Sequence, residues 1–307
     1  MVEKLIIDTD PGVDDAMAIF FAMLHPEIEL VGLTAIFGNV TVDIAARNAI
    51  ALSEIGKYPV PVAKGAERPL SIPANPVSDY VHGKEGFGDI PPHPITGKTI
   101  SQNAAEFIVD QINAAPGEIS LCPIGPLTNI ALALQLDPSI AQKVKQVVLM
   151  GGAYPKAGNV TPFAEANIWN DPHAADQVFA AEWPVTMIGL DVTSQVVCNR
   201  DDFESLAKAA PVLGGFLVRA ADFYIKFYEE NVDLSGCYLH DPAAVIACIR
   251  PDLFMLENHK IAVKLADGEI GRTFKASDSN RSETQVGAGI QGDKVKSLFL
   301  DTIGSGF

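Results

Sequence analysis

The stretch Asp8-Thr9-Asp10-Pro11-Gly12-Val13-Asp14-Asp15 follows the apolar run Leu5-Ile6-Ile7 and precedes the apolar, helix-forming segment 16–24. It reads as the end of a strand, a loop and the start of a helix, the place where α/β sheets bind their ligands. Four carboxylates crowd one turn, and no Lys or Arg is close by in sequence. Their mutual repulsion calls for a hard divalent cation, or for basic groups brought in from elsewhere. Helix capping alone explains part of the pattern. Asp before Pro is a common helix start, and acids in a first turn suit the helix dipole. That accounts for Asp10 with Pro11 and for one of Asp14 or Asp15, and it leaves the group of four unexplained.

Outward from this loop, apolar runs of strand length alternate with segments of helical periodicity. The alternation marks an open, mostly parallel, Rossmann-like α/β sheet flanked by helices on both faces. Strands are expected at 4–8, 28–36, 60–64, 119–124, 146–150 and 185–190. Helices are expected at 14–24, 42–55, 103–114, 127–136, 172–181, 202–209, 212–228 and 242–248. After Asn258 come shorter alternating stretches at 260–266, 272–275 and 284–291, read as a small antiparallel C-terminal addition before a last helix. No repeat or low-complexity linker divides the chain, so its 307 residues are read as a single domain.

Composition narrows the partners. A formal charge of −16 opposes binding to nucleic acid, whose phosphates are held by clustered Lys and Arg. A neutral small molecule or a cation fits better. Cys122, Cys198, Cys237 and Cys248 show no CxxC pair and no regular spacing, which argues against a thiolate metal site or a disulfide framework. They read as buried thiols in a reducing compartment. The apolar segment 16–24 is too short to span a bilayer and no export signal is visible, so a cytoplasmic protein without membrane attachment is expected.

The segments that follow the expected strands are rich in oxygen-bearing side chains. After the first come Asp10, Asp14 and Asp15; after the second, Gly38-Asn39; after the fourth, Thr128-Asn129; after the fifth, Asn159, Glu165 and Asn167. In a parallel sheet these ends share one edge, so acids and amides converge there. Such a set suits calcium or magnesium, and equally the hydroxyls of a sugar. Further on, His240-Asp241-Pro242 repeats the Asp-Pro helix start of Asp137-Pro138 and Asp171-Pro172, which are read as caps. His240 sets it apart, because an imidazole trades protons near neutral pH. Two irregular stretches, 66–101 and 151–166, are rich in Gly and Pro. The first holds His82-Gly83-Lys84-Glu85-Gly86-Phe87-Gly88, either a mobile lid or an ordinary surface loop.

With these residues in view, the chain resembles the nucleoside hydrolases of the inosine-uridine type. The likeness is carried, in order, by DTDPGVDDAMAI from Asp8, the FGN ending at Asn39, IGPLTNIALAL at 124–134 and VVLMGGA at 147–153. It continues through Asn159, Glu165 and Asn167, GLDVT at 189–193 and HDP at His240. It thins after Gly271, where 277–284 is more polar and irregular than the family's hairpin. The resemblance implies hydrolysis of the N-glycosidic bond of ribonucleosides in salvage, with calcium held by Asp10, Asp15, Asp241 and the carbonyl of Thr128. It further implies that Asp14, Asn39, Asn159, Glu165, Asn167 and the backbone of Met150 bind ribose. Asp10 would act as general base toward the attacking water, and His240 would assist departure of the base. His82 and Tyr228 would contact the base from the same side. A homotetramer or homodimer is implied as well, and base preference is left open.

Two other readings compete. Asp8-Thr9-Asp10 after a strand also resembles the start of haloacid-dehalogenase-type phosphatases, which need a downstream Lys and acidic pair, whereas the acids here fall in one loop. A non-catalytic calcium- or sugar-binding protein would use the same hydroxyl-reading residues. An EF-hand fails, because Gly12 stands at the fifth position of the run, where a ligand belongs.

Overall fold

The computed structural model describes residues 2–277 and 280–307. Strands β1 (Glu3–Thr9), β2 (Ile28–Ala35), β3 (Val62–Lys64), β4 (Ile119–Pro123), β5 (Gln146–Met150) and β6 (Val185–Ile188) correspond to the six expected ones. They pair in parallel in the order β3-β2-β1-β4-β5-β6. Along β1 the side chains alternate between two cores: Leu5 and Ile7 pack into one, Ile6 into the other. That is the burial expected of a strand covered on both faces.

The chain winds outward from β1 through β2 to β3, then returns to place β4 on the opposite side of β1. The reversal opens a crevice at the carboxyl ends of β1 and β4, the topological switch point of the sheet. The Asp8–Asp15 loop leaves β1 there. Its helix, Val13–Leu24, is buried from Val13 to Ala22, with no solvent-facing stripe. It packs against the helices Leu213–Asn231 and His240–Ile249. A helix that is apolar all round beyond its first turn has to be enclosed in this way, and the enclosure brings residues 224–241 to the acidic loop.

The C-terminal region departs in part from the sequence reading. Strands β7 (Val197–Cys198) and β8 (Cys237–Tyr238) form a two-stranded antiparallel sheet, as do β10 (Ile261–Val263) and β11 (Thr273–Lys275). The stretch expected at 284–291 becomes β12 (Thr284–Ile290), which joins the main sheet parallel to β6. An unexpected strand, β9 (Phe254–His259), pairs with it antiparallel and forms the sheet's edge. Glu257, Asn258 and an exposed Met255 hide the apolar alternation of β9, as is usual for an edge strand. Positions 278 and 279, within the irregular stretch 277–284, lie outside the described residues. Among the described residues no helix is long and apolar enough to cross a membrane. The four cysteines are free and buried.

Candidate active site

The acidic loop is built by its own backbone. Asp15 sits in the first turn of its helix, and its Oδ2 accepts the Gly12 N–H at 2.9 Å while Thr9 donates to its Oδ1 at 2.5 Å. Asp8 joins elements: its Oδ1 accepts from Thr34 on β2 at 2.5 Å and from Asn129 at 2.7 Å, while its Oδ2 is buried with no hydrogen-bond partner. Asp10 does not cap the helix. Its Oδ2 accepts the Asn39 N–H at 2.6 Å, and its Oδ1 is buried with no hydrogen-bond partner. Asp14 has one oxygen bonded to the Tyr224 hydroxyl at 3.2 Å and the other, Oδ1, buried and unpartnered.

Asp241 arrives from the far end of the chain. The helix His240–Ile249 begins one residue earlier, with Leu239 at the cap position, so this Asp-Pro pair leaves its carboxylate free for other work. The other two Asp-Pro pairs behave as caps: Asp137 accepts the Ser139 N–H and Asp171 the Ala174 N–H. Asp14, Asp15 and Asp241 can each offer an oxygen, all within 4.8 Å of one another. Asp10, expected as a metal ligand, stands outside that close triple. Burial first, and then the neighbouring carboxylates, hold Asp10 and Asp241 well above the usual carboxylate range and Asp14 at about 8. Burial likewise raises Asp15, against the bonds from Thr9 and Gly12.

This arrangement meets the test for a bound cation. Buried carboxylates are costly unless paired, and the nearest imidazole, His82 at 3.9 Å from Asp14 Oδ1, supplies no charge. Its Nδ1 accepts the Val13 N–H at 3.2 Å, and burial, with His240 adding to it, drives its pKa down to about 3. An oxygen-only set with orphaned oxygens fits a hard divalent ion. Thr128, expected to contribute its carbonyl, is buried at the start of the helix Thr128–Leu136, and its hydroxyl donates to Asp171 Oδ2 at 2.7 Å.

A cavity of about 370 Å³ opens beside the acids. Asp14, Asn39, His82, Met150, Asn159, Glu165, Asn167, Tyr228, His240 and Asp241 line it, whereas Asp10, Asp15 and Thr128 do not. Several of these also hold the loops in place. Glu165 accepts the N–H groups of Gly152, Asn167 and Ile168. The Asn167 amide donates to the carbonyls of Ile124 and Met150 at 2.9 and 3.1 Å, clasping the chain just beyond β4 to the end of β5. Asn39 donates to Asp15 at 3.2 Å, and Asn159, more exposed, accepts from Ala166 at 3.1 Å.

Beside the acids the lining is aromatic. His82 belongs to a short helix, Asp79–His82, and stacks on Tyr224 with centroids 5.1 Å apart. The glycine-flanked segment after it is latched: Arg47 donates to Glu85 at 2.7 Å and Asn48 to the Glu85 carbonyl at 2.8 Å. Its glycines serve close packing. Gly86 has φ 92°, and a Cβ there would lie 2.6 Å from the Pro11 carbonyl. A Cβ on Gly12 would meet His82 Nδ1 at 2.6 Å.

His240 is fixed at both ring nitrogens, by the Thr193 hydroxyl at 2.7 Å on Nδ1 and the Tyr228 hydroxyl at 3.0 Å on Nε2. Tyr228 meets Tyr224 at 3.2 Å, so a hydrogen-bonded chain runs from His240 to Asp14. Burial, with Lys156 adding to it, lowers the His240 pKa to about 3 and keeps the imidazole neutral. The sequence reading left Thr193, Tyr224 and Lys156 without assigned roles here. Thr193 lies within the GLDVT at 189–193, and Lys156 carries no signal beyond its place in an irregular loop.

A family model described as inosine-uridine preferring nucleoside hydrolase matches residues 5–297. The chain is 43% identical to Uridine nucleosidase 1 of Arabidopsis thaliana, over 89% of this chain and 81% of that protein. It is 37% identical to the Inosine-uridine preferring nucleoside hydrolase of Leishmania major, over 99% and 98%. Its fold matches that of a plant nucleoside hydrolase, the PpNRh1 enzyme, with a TM-score of 0.96 at 35% identity, covering 99% of this chain and 100% of the other. On sequence and fold together, the chain belongs to the inosine-uridine preferring nucleoside hydrolase family.

Proposed function

We propose that this protein hydrolyses the N-glycosidic bond of ribonucleosides to free base and ribose, as a calcium-dependent enzyme of nucleoside salvage. The observation that carries the reading is the buried acid cluster at the sheet's switch point, with orphaned oxygens on Asp10 and Asp14, beside a cavity with an aromatic lining. The names of its relatives, one for uridine and one for inosine and uridine, support the substrate class.

Asp10, Asp15, Asp241 and the Thr128 carbonyl would hold the ion, which when bound orients water and the ribose hydroxyls and offsets the carboxylate charge. Asp14, Asn39, Asn159, Glu165, Asn167 and the backbone at Met150 bind the ribose. Breaking the bond leaves an oxocarbenium-like sugar, and carboxylates close to the ring stabilise that positive charge. Asp10 serves as general base: Asn39 fixes Oδ2, and Oδ1 is free to take a proton from the attacking water. At the other end Tyr228 and His240 face the departing base with a shared hydrogen bond, and His82 closes the same side. His240 is joined by hydrogen bonds to Tyr228 and through it to Tyr224, and carries no charge in the free site.

We further assign the protein to the cytoplasm, a reducing compartment that suits its four free, buried thiols, and to a homodimer or homotetramer, on the family resemblance. The test of the activity is a panel of inosine, adenosine, uridine and cytidine with their 2′-deoxy forms, assayed with calcium. Release of free ribose, with the deoxy substrates cleaved at least about tenfold more slowly, is the expected result. Phosphate release from phosphomonoesters without base release would favour the phosphatase chemistry instead.

A further inference from the structure

The base end of the cavity contains a cation for which the reaction as described has no use. Lys156, a solvent-exposed residue, lines the cavity together with His240, and among the described residues it takes part in no ion pair. It is held in place. Its backbone N–H donates to Asp191 Oδ1 at 2.7 Å, the N–H of Tyr154 donates to Asp191 Oδ2 at 2.7 Å, and its ammonium hydrogen-bonds the Ser194 hydroxyl. Ser194 directly follows Thr193, whose hydroxyl bonds His240 Nδ1 at 2.7 Å. One short helix, Leu190–Thr193, and the residue after it therefore position both the imidazole and the ammonium on the same side of the cavity.

When the glycosidic bond breaks, its electron pair stays on the base nitrogen. In uracil and hypoxanthine that charge spreads onto a ring carbonyl oxygen, where an ammonium at the cavity lowers its energy. The water oxygen bonds the sugar carbon and keeps one hydrogen as the new hydroxyl, its second proton passes to Asp10 and on to solvent, and the base takes up one proton on the His240 side, which solvent replaces. Where the corresponding position bears an amino group, as in cytosine and adenine, the charge has no oxygen there and the ammonium meets a donor. We propose that Lys156 is a specificity-determining cation, favouring ribonucleosides whose base departs with negative charge on that carbonyl oxygen over their amino counterparts. The inference rests on the hydrolase reading above.

The test compares wild type with Lys156→Met and Lys156→Arg on uridine, cytidine, inosine, adenosine and p-nitrophenyl riboside, whose leaving group is stable without help. In the Met variant kcat/KM for uridine and inosine falls by about tenfold, and for p-nitrophenyl riboside by less than about twofold. Arg restores uridine and inosine to within about threefold of wild type, since the charge is kept. Wherever wild type cleaves both members of an oxo and amino pair, the Met variant narrows their ratio. Equal losses on every substrate would assign Lys156 to holding its loop, and no loss on uridine or inosine would remove it from the reaction; either result overturns the inference. A wild type that releases no base from any of the five fails at the earlier step, the hydrolase reading, before any variant is compared.

Discussion

In the proposed mechanism Asp10 and His240 divide the chemistry at the level of single residues, and each role has its own signature. Asp10→Asn removes a charge from the ion's surroundings and the proton acceptor together, so kcat is expected to fall by about 10³ or more, measured by initial rates at saturating calcium. A rate within tenfold of wild type would reassign the base. His240→Ala should lower kcat/KM for inosine and uridine by about 10² and for p-nitrophenyl riboside by less than about threefold, because only a poor leaving group needs the proton. Equal losses would reject His240 as the acid. The residues behind these roles were legible where the chemistry demanded an unusual type, as with four acids in one turn or an imidazole beside an acid. Thr193 was not legible as a partner of His240, because a hydroxyl 47 positions away carries no local mark of the ring nitrogen it meets.

Among the elements, the short helices and latched loops were the hardest to see. The segments Ala166–Asn170 and Leu190–Thr193 are too short to show a 3.6-residue period, and Glu165 creates the first of them by capping it. The glycines after His82 left a mobile lid and an ordinary surface loop both open in the sequence, and the structure uses Gly86 for a close approach to the acidic loop. Two stability predictions follow from those contacts. Gly12→Ala places a Cβ 2.6 Å from His82 Nδ1, so it should displace that ring and cost about 1–3 kcal/mol, read from denaturant midpoints. Asp171→Ala removes a helix cap and the bonds from Leu70 and Thr128, and a loss of about 2–4 kcal/mol is expected in the same assay.

At the scale of the whole molecule, the parallel sheet and its order of elements followed from alternation alone, since strands buried on both faces read as continuous apolar runs. The edge strand β9 escaped because an edge needs only one apolar face and carries charge to discourage further pairing. What sequence could not show directly was distance: Asp14 and Asp241 are 227 positions apart and meet only because the helix between β1 and β2 is enclosed on all sides. The site is therefore the point at which the two ends of the fold close on each other. Calcium binding there should raise the melting temperature, by several degrees at about a hundredfold excess over Kd, and chelation should reverse it.

The central claim is a ribose-releasing site that depends on a cation held by these acids. Its most direct test is the initial rate of ribose release from uridine and inosine after the protein has been stripped with a chelator, and again after calcium is returned. A rate at background is expected in the stripped protein and full recovery with calcium, with Asp10→Asn silent in both states. Undiminished release from protein shown to be metal-free, or no release from any common ribonucleoside with calcium present, would contradict it.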